Sequence, residues 1–287
     1  MNFIICGDCG GTKSVFSAYT NTGDLINEII SGPGNVVADK SGALDTITES
    51  LAKLLTQLNG ECQAIILGIA GLDTSGYEEE LQQKWSRFGI PLFLMNDAKL
   101  ALYAKLKGED GALLISGTGS VGYLKYKGQF FRAGGWGHIL GDEGSGYWLG
   151  KQAYKQVVED IDRRMITPFT SAFIKWLGFS TPTEAVRQFY HLNKEEVANA
   201  AVFVAGSQTE TALKLQQQAG KHLAQLIDFL CVNHNEPIVV ALTGSVLEKN
   251  EKVRAALREH LAIPKTTLIV SETPITLGGW YYWKEQR

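Results

Sequence analysis

Two short glycine segments carry the first hint of chemistry: Asp8-Cys9-Gly10-Gly11-Thr12-Lys13-Ser14 and Ser116-Gly117-Thr118-Gly119-Ser120, each following an apolar run. Glycine lets a backbone come close to phosphate oxygens and offer them N–H groups. In the first segment Gly10 and Gly11 allow that approach, Thr12 offers a hydroxyl and an N–H, and Lys13 adds positive charge. Asp8 is placed to hold a magnesium ion, directly or through water. In the second segment Gly117, Thr118, Gly119 and Ser120 supply a facing half. Neither is the Walker pattern, which needs GxxxxGK[ST] before a helix. One such turn alone reads as an ordinary hairpin tip. The pair reads as a clamp giving N–H groups to a polyphosphate from both sides, which points to phosphoryl transfer.

Other segments extend that chemistry. Asn96-Asp97 ends one apolar run and opens a helical one. Asp is a frequent helix cap, and it is also a general base for an alcohol attacking phosphorus; the two roles are compatible. The end of a central strand is where ligands of open α/β sheets sit, so Asp97 is expected to be the base, with Asn96 beside the substrate. The segment Gly134–Gly150, GGWGHILGDEGSGYWLG, holds seven glycines, two tryptophans, His138, Asp142 and Glu143. It reads as a tight connection with core tryptophans or as a sugar wall, and the second is preferred: aromatic faces stack on pyranose C–H surfaces and carboxylates bond hydroxyls. His138 is expected to be structural, and Glu143 reads equally as a charge in the first turn of the next helix. Gly32-Pro33-Gly34-Asn35 is a turn by composition, with Asn35 in reach of ligand hydroxyls. In Leu242–Val246, Gly244 leaves room for a flat ring such as adenine, with Ser245 next to it and Phe203–Ser207 with the helix after it on the other side. Cys6 and Cys9 make a CxxC spacing, but Cys62 and Cys231 are isolated, so the spacing is read as coincidence rather than a zinc site.

The elements that must position these residues repeat. Phe3–Tyr19 and Ala112–Tyr126 each read as a hairpin with a glycine tip; Ala64–Asp73 is echoed by Ile238–Glu248, and Pro91–Asp97 by Thr267–Thr273. Strands are expected near 3–6, 14–19, 25–30, 64–69 and 92–95, with helices near 43–58, 77–88 and 97–106. The second half predicts strands near 112–116, 119–126, 129–132, 238–242 and 267–270, and helices near 248–261 and 275–284. A largely helical insertion spans about 151–236 and ends in a long amphipathic helix over 209–232. The alternation predicts α/β layers in two domains, 1–107 and 108–287, joined at the polar stretch 107–111 as a hinge. The 287 residues carry a net charge of −3, with 45% apolar and 20% charged residues. That balance gives no electrostatic reason to expect nucleic acid or an anionic membrane. No apolar run approaches a membrane span, the amino end runs directly into a strand rather than a signal peptide, and the four scattered cysteines suit a reducing compartment.

Taken together and in this order, DCGGTKS, GPGN, ND, SGTGS and GGWGHILGDEGSGYW resemble the N-acetylglucosamine kinase family of the BadF/BadG/BcrA/BcrD ATPase group, within the actin–hexokinase–heat-shock chaperone superfamily. The resemblance spans nearly the whole chain and is weakest over 151–236. It implies two actin-like (ribonuclease H-like) ATPase domains with mixed five-stranded sheets flanked by helices, closing on ATP and a sugar in the interdomain cleft. It implies Asp97 as base for the sugar 6-hydroxyl and Thr12 and Thr118 at the phosphates. It further implies Asn35, Gly135, Trp136, Gly137 and Asp142 at the sugar, and Gly244 near adenosine. A cytoplasmic homodimer, through the larger second domain, is implied with it. Cys9 stands where the family usually has glycine, and Ser207–Thr211 where relatives often carry a Gly-Asp pair.

The sequence thus points to a magnesium- and ATP-dependent amino-sugar kinase. The alternatives are an activator-type ATPase, whose cluster-bridging cysteine motifs have no counterpart here, and a non-catalytic sugar sensor. N-acetylglucosamine, glucosamine, N-acetylmannosamine and muramic-type sugars all remain open as substrates.

Overall fold

The structure is a computed structural model, and residues 1–232, 236–263 and 266–287 are described. The chain forms two compact units, Met1–Asp110 with Glu272–Arg287, and Gly111–Ser271.

In the first unit, β1 (Asn2–Cys9), β2 (Ser14–Thr20) and β3 (Leu25–Ser31) make an antiparallel meander, followed by α1 (Lys40–Gln57) and β4 (Glu61–Ile69). A short turn α2 (Leu72–Ser75), then α3 (Glu78–Ser86), β5 (Leu92–Asn96) and α4 (Asp97–Lys105) complete the run. The sheet order is β3-β2-β1-β4-β5, with β4 parallel to both β1 and β5. Strand alternation sends Phe3, Ile5 and Cys9 to one face, against Ile47, Leu51 and Leu54 of α1 and Trp85 of α3. Ile4 and Cys6 go to the other, with Ile66, Leu100 and Trp283. The Trp85 indole donates to Thr48 Oγ1 at 2.9 Å, pinning α3 to α1. Cys6 and Cys9 therefore lie on opposite faces, because a spacing of three residues in a strand reverses direction. Burial pushes both thiols up.

The second unit opens with the meander β6 (Gly111–Ser116), β7 (Ser120–Tyr126) and β8 (Gln129–Gly134). It continues through α5 (Gly146–Asp162), α6 (Pro168–Leu177), α7 (Pro182–Phe189), α8 (Lys194–Gly206) and α9 (Glu210–Leu230). Then come β9 (Val239–Thr243), α10 (Ser245–Lys249), α11 (Glu251–His260) and β10 (Thr267–Val270). The order β10-β9-β6-β7-β8 repeats that of the first sheet, with β9 parallel to β6 and β10. The long α9 buries Leu215, Ala219, Leu223, Ile227 and Leu230 at helical spacing. No helix among the described residues is long and apolar enough to cross a membrane.

Three expectations are corrected. The helix expected over 248–261 is two helices, because the Asn250 side chain accepts from Val253 N and caps a new start. The helical insertion begins at Gly146 rather than near Lys151, since Ser145 caps α5; of its expected span, 233–235 lie outside the described residues. The last helix, α12 (Leu277–Glu285), belongs to the first unit, not to a domain running from 108 to 287. Its Gly278 packs so closely on α4 that a Cβ there would lie 2.1 Å from Leu100 O. Just before it, the Thr276 hydroxyl accepts from Ser17 Oγ at 2.9 Å and shares a 2.7 Å hydrogen bond with the Tyr19 hydroxyl.

Candidate active site

Each unit gathers the predicted residues around its own glycine turn. In the first unit the β1–β2 ladder ends at Cys9 and Ser14, and Gly10 N donates to Lys13 O at 3.2 Å to close the tip. Gly11, Thr12 and Lys13 are exposed. The Gly-Pro-Gly-Asn loop docks on this tip through Gly34 N to Gly10 O, at 2.8 Å. A Cβ on Gly34 would lie 2.5 Å from Ser14 Oγ and 2.7 Å from Cys9 Cβ, so only glycine fits. Asn35 Oδ1 accepts from Val37 N and Ala38 N at 2.9 and 3.1 Å, which orients its amide toward the Gly11 side of the turn.

Two carboxylates stand at the carboxyl ends of strands in this sheet. Asp8 is the penultimate residue of β1, and Asp97 is the first residue of α4, directly after β5. The cap of α4 is Asn96, whose Oδ1 accepts from Ala98 N at 2.8 Å; Asp97 Oδ1 accepts from the same N–H at 2.9 Å. Burial raises the Asp97 carboxyl above the ordinary range, the Ala98 N–H draws it back, and the charge of Asp73 pushes it up again. Asp8 is pushed up to about 6, first by burial and then by the like charge of Asp97, against the pull of Lys13 and Lys105. Lys105 is steadied by a 2.9 Å hydrogen bond to Thr273 O. Asp73 and Lys105 were not singled out in the sequence. Asp73 closes the strand–turn segment already noted as a repeat, and Lys105 is two helical turns after Asp97.

A half-buried carboxylate repelled by a second one is a setting that a divalent cation would relieve. Among the described residues no group of three or more His, Cys, Asp or Glu side chains is arranged to hold a metal. A lone Asp8 fits magnesium, which commonly takes one or two carboxylates and fills its shell with water and phosphate oxygens.

In the second unit the tip closes through Gly117 N to Gly119 O, 3.0 Å. The start of α5 buttresses it: Gly146 N donates to Gly117 O at 2.7 Å and Tyr147 N to Thr118 O at 3.2 Å. Ser116 Oγ donates to Gly144 O and Ser120 Oγ to Glu143 O, at 3.0 and 2.7 Å. Ser120 is buried, so this hydroxyl, expected at the cofactor, is spent on the turn itself. Asp142, expected at the sugar, is only 4% exposed and sits at φ +63°. Its Oδ1 accepts from Ser120 N at 3.3 Å, and its Oδ2 pairs with Lys194 Nζ at 2.9 Å. Gly244, at φ +92°, is packed against the turn: a Cβ would meet Ser116 O at 2.5 Å. Its glycine is required by this backbone contact.

Beside the turn lies a cavity of about 350 Å³. Gly117, Thr118 and Ser245 line it, as do Glu195, Asn199 and Val202 of α8, Lys249 at the end of α10 and Asn250 just after it. Glu195, Asn199 and Val202 of α8 and Lys249 of α10 escape the sequence reading, which looks for this wall at Ser245, 203–207 and the helix after it. Trp136 is 69% exposed, with the Arg132 guanidinium 5.0 Å from its ring center, so it is not a core residue. Arg132 holds the loop by donating from Nε to Gly134 O at 3.2 Å and from Nη2 to Gly135 O. Gly137 O accepts from Gly141 N at 2.8 Å. His138 rests edge-on against Tyr147 at 4.7 Å, and Trp148 against His222 at 5.1 Å.

The sequence is 28% identical to an N-acetylmuramic acid/N-acetylglucosamine kinase of Clostridium acetobutylicum over 97% of each chain. It is 27% identical to a glucosamine kinase of Vibrio cholerae over 55% of each. The crystal structure of a candidate N-acetylglucosamine kinase from Chromobacterium violaceum superposes with a TM-score of 0.75 at 24% identity, covering 97% of both chains, and shows the shared fold. Residues 7–276 match the BadF/BadG/BcrA/BcrD ATPase family.

Proposed function

The chain belongs to the BadF/BadG/BcrA/BcrD ATPase family, and from that premise we propose that it is an ATP-dependent amino-sugar kinase. It transfers the γ-phosphate to the 6-hydroxyl of N-acetylglucosamine or a related amino sugar. The observation that carries this reading is Asp97: a carboxylate at the end of β5 and the start of α4, half-buried, with its pKa raised. A base of raised pKa accepts an alcohol proton more readily.

In this reading Asp97 takes the proton of the 6-hydroxyl as its oxygen attacks the γ-phosphorus in line; the new P–O bond forms as the bond to the β-bridging oxygen breaks and ADP leaves. Thr12, Lys13 and the Gly10–Gly11 backbone bind phosphate in the first unit, and the Gly117–Gly119 backbone with Thr118 does so in the second. Magnesium, bound near Asp8, would neutralise charge on the phosphate oxygens. Asn35 and Asn96 orient sugar hydroxyls, and Trp136, with the Gly135 and Gly137 backbone, offers the sugar an apolar wall. The cavity beside Thr118 and Ser245 takes the nucleoside, with Val202 and Ala201 against the base and Asn199 and Lys249 available to its polar edges. A cytoplasmic homodimer is part of the proposal on the strength of the family resemblance.

The test is ADP release with magnesium ATP across a panel of amino sugars and plain hexoses, with a sugar-free blank. Release that depends on an amino sugar supports the proposal. A high blank that no sugar raises would place the chain with the ATPase motors instead.

A further inference from the structure

One wall of the cavity beside the second glycine turn is too short to hold itself. The helix α10 has only five residues, and Ser245, Val246 and Lys249 of it line the cavity. So short a helix has little stability of its own, because nucleating the first turn costs more than its few hydrogen bonds return. Two charged side chains hold its ends, and neither is among those lining the cavity. At the start, Glu248 Oε1 accepts from Thr243 Oγ1 at 2.8 Å and from Gly244 N at 3.1 Å. The same residue's N–H donates to Gly244 O at 2.8 Å, so backbone and side chain both tie Glu248 to the strand end. At the other end, Arg254 of α11 donates from Nη1 to Leu247 O and, at 2.8 Å, to Glu248 O, and it pairs with Glu251. The last carbonyls of a helix have no partner within it, so these bonds replace water there.

We propose that Glu248 and Arg254 are positioning residues for the nucleotide: they pin the two ends of α10 and so fix Ser245 and Lys249 against the cavity. This rests on the kinase reading for what fills the cavity. Without either clamp the short helix frays, and a bound nucleotide must re-form it. A wall formed one fifth of the time weakens the apparent affinity about fivefold.

The experiment measures ADP affinity by calorimetry without sugar, and KM for ATP and for sugar where turnover is seen. Glu248 is exposed, so replacing it disturbs no core packing. Glu248→Ala is expected to weaken ADP binding about fivefold and raise the ATP KM to match, with the sugar KM within about twofold. Glu248→Gln keeps an oxygen that accepts from Thr243 and Gly244, and it restores most of the affinity. Arg254→Met gives a loss like that of Glu248→Ala. Unchanged ADP affinity in folded Glu248→Ala and Arg254→Met proteins overturns the proposal and leaves the two residues a purely structural role. Tighter ADP binding in both Glu248→Ala and Glu248→Gln also overturns it, since that is the mark of a carboxylate acting by repelling phosphate. Wild-type protein that binds ADP but phosphorylates no sugar sinks the kinase reading and leaves the ADP comparison intact as the test of the clamps. Wild-type protein that binds no ADP overturns both.

Discussion

The two glycine turns sit at the same place in sheets of the same strand order, yet different structures stand behind them. Behind the first are a short loop held by one close backbone contact at Gly34 and two half-buried carboxylates, Asp8 and Asp97. Behind the second are the start of a 17-residue helix, the Asp142–Lys194 pair and a cavity. The first surroundings are electrostatically tense, with burial and then like charge raising both carboxyls, Asp97 acting on Asp8 and Asp73 on Asp97; the second are satisfied, with Ser116, Ser120 and Asp142 all bonded. In the proposed kinase a repeated scaffold thus serves chemistry at one copy and holding at the other. Raised carboxyl pKa values suit proton transfer, whereas a rigid, neutralised turn suits binding.

The strongest way to break this contrast is Asp97→Asn. Loss of a general base costs about 10²- to 10⁴-fold in rate, so kcat should fall by roughly 10³ while ADP affinity, which does not draw on Asp97, stays within about twofold. A parallel loss of ADP affinity would erase the division.

The pH profile comes next. Asp8 must be ionised to hold a cation, so kcat/KM should fall as pH drops through about 6, by about tenfold per pH unit below it. Stability has the opposite sign. The folded carboxyl binds its proton more tightly than the unfolded one, so this group makes the fold less stable as pH rises from about 4 to about 6. Asp8→Asn should therefore lower kcat/KM at every pH, for want of the cation's carboxylate, and raise stability at pH 7 by about 1–3 kcal/mol. Thermal melts of the metal-free protein at pH 5 and 7 check the second part: the variant's advantage shrinks at pH 5.

Two alanine substitutions sharpen the comparison at smaller scale. Gly34→Ala strikes Ser14 Oγ and Cys9 Cβ, and Gly244→Ala strikes Ser116 O at a positive φ. Each should destabilise by about 1–3 kcal/mol. Gly244→Ala should weaken ADP binding in calorimetry, and Gly34→Ala should raise the sugar KM with ADP affinity kept. The smallest effect on stability is expected at Trp136. With its ring 69% exposed, Trp136→Ala should shift the folding free energy by no more than about 0.5 kcal/mol, while the sugar KM rises several-fold.

How much of this was legible in the sequence follows the range of the interactions. The meanders, parallel strands and Asp97 at a strand end are local patterns, and alternation plus glycine tips disclosed them. Asn96 as the cap in place of Asp97 turns on which of two adjacent side chains faces the helix end, a matter of χ angles rather than residue type. Asp73, Lys105 and Lys194 act through space across 24, 97 and 52 residues from Asp97, Asp8 and Asp142, and no periodicity marks them. The last helix was assigned to the second domain because it follows β10 as α4 follows β5. Its close glycine contact with α4 and the Ser17 and Tyr19 bonds to Thr276 draw it back to the first unit instead. Trp136 reads as a sugar wall rather than core because aromatic faces stack on pyranose surfaces and carboxylates lie nearby; the structure places its ring in solvent.

The measurement that tests the central claim most directly is phosphoryl transfer to an amino sugar by wild-type and Asp97→Asn protein, followed by phosphorus NMR, with ADP affinity measured on the same samples. The account predicts a sugar 6-phosphate signal with wild type, essentially none with the variant, and equal ADP binding in both. Sugar phosphate formed at a similar rate by Asp97→Asn would contradict it.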